Sequence, residues 1–63
     1  MYEKFRKLLR KKHLSVYRVS KMSGVSQGTL SDWKSRPNGK LSVDNLKKLA
    51  DALEVPITYF LED

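Results

Sequence analysis

Sixty-three residues fit one domain, and a chain this short hides only about 60% of the surface that its unfolded form exposes, so its core must be small. It has no cysteine and no apolar run longer than three residues, which excludes a disulfide framework, a thiolate zinc site, a membrane span and a secretory signal, and predicts a soluble, cytoplasmic protein. The net charge of +6 is uneven: residues 1–40 carry eleven Lys/Arg against Glu3 and Asp32 (+9), whereas residues 41–63 carry two lysines against five acids (−3), so a positive end is offered to a polyanion.

The first helix is predicted over residues 2–12. Tyr2, Phe5, Leu8 and Leu9 recur at three- and four-residue steps, while Lys4, Arg6, Lys7, Arg10, Lys11 and Lys12 hold the remaining surface. The basic run is expected to be a solvated outer face. Its apolar stripe is too narrow to serve both a core and a membrane surface.

A second helix begins after Ser15, an N-cap residue, with Leu14 and Val19 at hydrophobic-staple spacing. It runs from Val16 to Ser23 and ends at Gly24, where glycine reaches positive φ without steric cost. Ser26 caps a third helix almost immediately. Two short helices joined by a glycine-centred turn form a helix-turn-helix, and Ser20 is small where the two axes must approach. In the third helix, residues 26–34, the large apolar residues are Leu30 and Trp33, three apart on one face. Gln27, Gly28, Ser31 and Asp32 fall elsewhere and form a polar surface.

Residues 35–41 are a loop marked by Pro37 and Asn38-Gly39. Ser42 caps a fourth helix with Leu46, Leu49, Ala50 and Leu53 at i, i+3, i+4, i+7 spacing. Pro56 opens a short last helix carrying Ile57, Tyr59, Phe60 and Leu61. No strand pattern or repeat interrupts this, so the expected architecture is all-α, five short helices in a single domain over residues 1–63.

Leu14-Ser15, Val19-Ser20, Gly24-Val25-Ser26, Thr29-Leu30-Ser31, Trp33-Lys34 and the run Leu46 to Val55 resemble, in order and separation, the Cro/repressor-like (XRE-like) helix-turn-helix family. The resemblance extends from about Phe5 to Leu61. The segment Thr29-Leu30-Ser31-Asp32-Trp33-Lys34 is most similar to prophage repressors of Gram-positive bacteria. What the resemblance implies is a lambda-repressor-like DNA-binding domain with its helix-turn-helix at helices 2 and 3. Such a domain inserts helix 3 into the major groove of double-stranded DNA, commonly as a dimer on a palindromic operator.

The same resemblance implies a site. Gln27, Gly28, Ser31 and Asp32 are expected at the bases. Gln27 is the first choice, since its amide donates and accepts as adenine N7 and N6 require. Gly28 would permit close approach to a base edge. Asp32 would accept from cytosine N4, orient a neighbouring cation or repel wrong sequences. Tyr17, Ser26, Thr29, Lys34, Arg36, Asn38 and Lys40 are expected at phosphates, which add affinity and salt sensitivity without sequence information. Ile57, Tyr59, Phe60 and Leu61 form the expected dimer patch.

Three positions depart from the family pattern. Val16 stands where glutamine usually touches a phosphate. Leu9 and Lys34 replace an Arg–Glu pair, leaving Lys34 to approach the DNA backbone. Ser23 stands where leucine is usual, so Met22 is expected to supply that packing. His13 is the lone histidine and has no Cys or second His beside it, so no metal site, catalytic residue, cofactor or small-molecule ligand is expected, and the chain does not read as an enzyme. The competing readings are a helix-turn-helix protein-interaction module, meeting an antitoxin-type or antirepressor partner, and a DNA-binding fragment of a larger repressor.

Overall fold

The computed structural model describes residues 2–36, 39 and 41–61, and among these the chain forms five helices and no strand. They are α1 (Tyr2–Lys12), α2 (Val16–Ser23), α3 (Gln27–Ser35), α4 (Val43–Leu53) and α5 (Thr58–Leu61). Short-range side-chain chemistry sets most of these boundaries. Ser15, Ser26 and Ser42 each adopt extended backbone and accept a first-turn N–H: from Arg18 at 3.0 Å, Thr29 at 3.1 Å and Asn45 at 3.3 Å. Each such cap is worth about 1 kcal/mol.

Three helices, α1, α2 and α4, end on left-handed residues. Gly24 has φ 81° and its N–H donates to Ser20 O at 3.0 Å. α1 and α4 finish differently, with His13 and Glu54, both at φ 58°. Leu14 N donates to Leu9 O at 2.9 Å and Val55 N to Ala50 O at 3.0 Å, the long backbone bond of a Schellman motif in each case. A non-glycine residue in this region costs about 1–2 kcal/mol. Leu14 and Val55, packed half-buried against the core one position on, help to hold both turns closed.

Phe5, Leu9, Val19, Leu30, Trp33, Leu46, Leu49 and Leu53 form the centre of the core, each at most 2% exposed. Tyr2, Phe5 and Trp33 pack as an aromatic trio with centroids 5.2–5.6 Å apart, Tyr2 edge-to-face with Trp33, fastening α1 to α3. α2 packs on both α3 and α4. Among the described residues every buried residue is hydrophobic, so apolar contact dominates the core. Lys4 ties the chain ends together: its Nζ donates to Tyr59 O at 2.9 Å and lies 5.5 Å from the Tyr59 ring centroid.

Two expectations need correction, those for Met22 and Phe60. Met22 does not fill the position vacated at Ser23, since it is 47% exposed. Ser23 instead turns its Oγ to the backbone and accepts from Val25 N at 3.1 Å. Pro56, expected at or near the first helical position, stands two residues before Thr58, and its carbonyl accepts from Tyr59 N at 2.9 Å in the turn that leads into α5. Phe60, expected in a dimer patch, is 2% exposed and belongs to the core. No helix among the described residues is long and apolar enough to cross a membrane.

Candidate nucleic-acid interface

The turn between α2 and α3 is closed from within. Ser20 Oγ donates to Val25 O at 2.7 Å, Gly24 N reaches Ser20 O, and Val25 itself is 2% exposed. A larger side chain at 20 would lose the bond and crowd the turn. The two helices are thus held as one unit, and α3 is further anchored by burial of Leu30 and Trp33 at 1% exposure each. The Trp33 indole N–H also donates to Gly39 O at 3.3 Å, tying the loop after α3 back to the helix.

With Leu30 and Trp33 inward, α3 turns Gln27, Gly28, Ser31, Asp32, Lys34 and Ser35 outward, all exposed. Gly28, Ser31, Asp32 and Ser35 lie on the opposite side of the helix and Gln27 and Lys34 on its flank, as a 100° step per residue requires. None of the six is apolar, and apart from Asp32 none is acidic. The first-turn N–H groups of Gln27 and Gly28 have no intrahelical acceptor, which leaves partial positive charge at that end.

Gln27, Gly28, Ser31 and Asp32, expected at bases, therefore share one solvent-facing surface. Gly28 is not demanded by the domain. A Cβ placed there would meet just Ser26 Oγ, at 3.9 Å. Asp32 forms an i,i+4 ion pair with Arg36, both side chains 62% exposed, so the carboxylate orients the guanidinium. Ser26 and Thr29 are engaged with each other, Oγ to Oγ1 at 2.8 Å, within the cap. That is the local bonding that competes with an outside contact.

Tyr17 is 57% exposed at the start of α2, with Lys21 Nζ 5.4 Å from its ring centroid. Lys34 and Arg36 are exposed. Asn38 and Lys40 lie outside the described residues. Of the four residues expected in a dimer patch, Leu61 is 54% exposed, Ile57 and Tyr59 are half-buried, and Phe60 is core.

Sequence reasoning missed one neighbour of this surface. A groove of about 540 Å³ runs between α1, the start of α2 and α3, lined by Gln27, Gly28, Ser31 and Lys34 together with Arg6 from α1. Tyr2, Val16 and Leu30 form its apolar part. Arg6 follows Tyr2 by four residues and so shares its side of the helix. That phase was legible, but the basic residues of α1 read as one solvated face, and Arg6 is half-buried.

A paired α2–α3 unit with an outward polar helix and a basic surround defines a helix-turn-helix DNA-binding domain. A helix-turn-helix family model matches residues 5–60, and the chain belongs to that family, the Cro/repressor-like XRE group. The five-helix lambda-repressor-like fold is the one this membership entails. The protein is accordingly a DNA-binding helix-turn-helix regulator. No curated protein matches the chain.

Proposed function

We propose that the protein is a sequence-specific transcriptional repressor of the prophage type, acting in the bacterial cytoplasm, which inserts α3 into the major groove and occupies a palindromic operator as a dimer. The observation that carries this is the division of α3. Leu30 and Trp33 bind it to the core, while its outer side is polar, uncovered and continuous with cationic residues. Residues 5–60 act as one DNA-reading unit.

Gln27, at the groove-entering end, pairs with adenine through N7 and N6. Gly28 and Ser31 lie against neighbouring base edges. Asp32 holds Arg36 until the guanidinium meets a phosphate, after which the carboxylate is available to cytosine N4. Tyr17, Ser26, Thr29, Lys34 and Arg36 flank these positions and meet the backbone, as do Asn38 and Lys40.

One unit reads few base pairs, so specificity requires two copies on related half-sites. With Phe60 taken into the core, exposed apolar surface at α5 reduces to Leu61 beside half-buried Ile57 and Tyr59. A patch of that size supports association on DNA rather than a stable free dimer. Selection of bound sequences from a random duplex pool tests the proposal. A palindrome with half-sites about one helical turn apart is expected. Failure to enrich any sequence at physiological salt refutes sequence-specific reading.

A further inference from the structure

The groove beside α3 brings together two cations from distant parts of the chain, Arg6 on α1 and Lys34 near the end of α3. No carboxylate lines it. Among the described residues the sole ion pair is Asp32–Arg36, so neither groove cation is neutralised. Two positive groups facing one cleft repel, and an anion between them removes that cost. Val16, at the first position of α2, also lines the groove. Its side chain can donate nothing, but α2 has no acid in its first turn to offset the positive end of the helix. Gln27 and Ser31, on the reading surface, form part of the same lining, so a duplex seated on α3 would carry its backbone past this opening.

We infer that Arg6 and Lys34 together clamp a single backbone phosphate of the bound duplex in the groove between α1 and α3. This rests on α3 being the major-groove helix. The clamp sets the rotational register of α3, because one of its jaws belongs to a different helix. It contributes affinity and salt dependence but no base preference.

The test is the salt dependence of binding by the full chain to the duplex it selects from a random pool, for wild type, Arg6→Gln, Lys34→Gln, Arg6→Gln/Lys34→Gln, Arg6→Lys and Lys11→Gln. Lys11 is an exposed α1 cation that does not line the groove. Each single groove glutamine variant should lower the slope of log K against log salt by clearly less than about 0.9, because the other cation still faces the phosphate, and should weaken binding with unchanged base preference. The double variant should lose about 0.9 in slope, the share of one phosphate, and bind roughly fivefold more weakly at 0.15 M salt. Arg6→Lys and Lys11→Gln should keep the wild-type slope.

A double variant that loses no more slope than Lys34→Gln leaves Arg6 without a share in the phosphate and overturns the clamp while leaving the DNA-reading role of α3 intact. An equal loss in Lys11→Gln reduces the effect to overall helix charge and also overturns it. A loss of about two contacts in the double variant means separate phosphates, not a clamp. Wild type that binds no duplex removes the parent reading and the clamp together. Should half-buried Arg6 resist replacement by glutamine, scanning the duplex with single neutral methylphosphonates supplies the same answer through exposed Lys34. The position that weakens wild type must matter less in Lys34→Gln, where Arg6 alone still faces it, and undiminished sensitivity there overturns the clamp.

Discussion

Gly28→Ala separates what the domain needs from what its ligand needs, because the two predict opposite signs. The added Cβ would lie 3.9 Å from Ser26 Oγ, ordinary van der Waals contact, with no other outside atom within 4 Å. Nothing in the fold must move. Alanine has less backbone freedom to lose than glycine, a gain of about 0.5–1 kcal/mol in a helix interior and nearer the lower figure in a first turn. For a domain of this size that corresponds to a rise of roughly 2–4 °C in Tm. On DNA, by contrast, the methyl group would stand on the surface proposed to meet base edges, beside Gln27 and Ser31. An overlap costing about 1.4 kcal/mol is a tenfold loss of affinity. Thermal unfolding followed by far-UV circular dichroism and operator titration by fluorescence anisotropy measure the two effects on one sample. A variant that melts higher and binds at least tenfold more weakly fits a glycine kept for its ligand. Undiminished operator affinity would mean that Gly28 is simply a tolerated weak helix former. A lower Tm would refute the claim that the position is open within the domain.

The remaining predictions follow from burial, backbone and charge. Trp33→Ala removes the shared member of the aromatic trio at a cost of about 3–5 kcal/mol, comparable to the whole stability of so small a domain. The variant should show little helical circular dichroism at 37 °C, and a cooperative native-like melt would contradict the assigned core. Glu54→Gly should raise stability by up to about 1 kcal/mol in urea unfolding, because glycine relieves the left-handed conformation. Gly24→Ala should lower it by about 1 kcal/mol despite having nothing within 4 Å of the new Cβ, the strain being conformational rather than steric. Asp32→Asn breaks an exposed ion pair worth under about 0.5 kcal/mol, so Tm should barely change. Its operator preference should relax at one base pair, measurable by repeating the selection, and an identical consensus would exclude Asp32 from base reading.

What the chain alone determined about this protein is whatever depends on neighbours a few residues apart. The three serine caps, the glycine that ends α2 and the apolar phase of α1 and α4 are local competitions between side chain and backbone, and they are legible as such. Trp33 was legible too, because its spacing from Leu30 leaves one inward face on a short helix. The polar side of α3 follows from the same arithmetic.

Tertiary structure decided the rest. His13 and Glu54 end helices in a conformation that neither residue prefers, and half-buried Leu14 and Val55, packed on the core, help to hold it. In α5 four residues are too few for periodicity to distinguish inward from outward, so Phe60 fell to the core and Leu61 to solvent only once α5 had packed. Met22 stays at the surface, while half-buried Ser23 accepts from the backbone N–H of Val25. Arg6 left the general basic surface of α1 for the edge of α3 because the edge-to-face contact of Tyr2 with Trp33 fixes how the two helices are turned. Local bonding writes the helices into the sequence, whereas the sides they present to one another and to DNA emerge only when distant residues compete for the same small core.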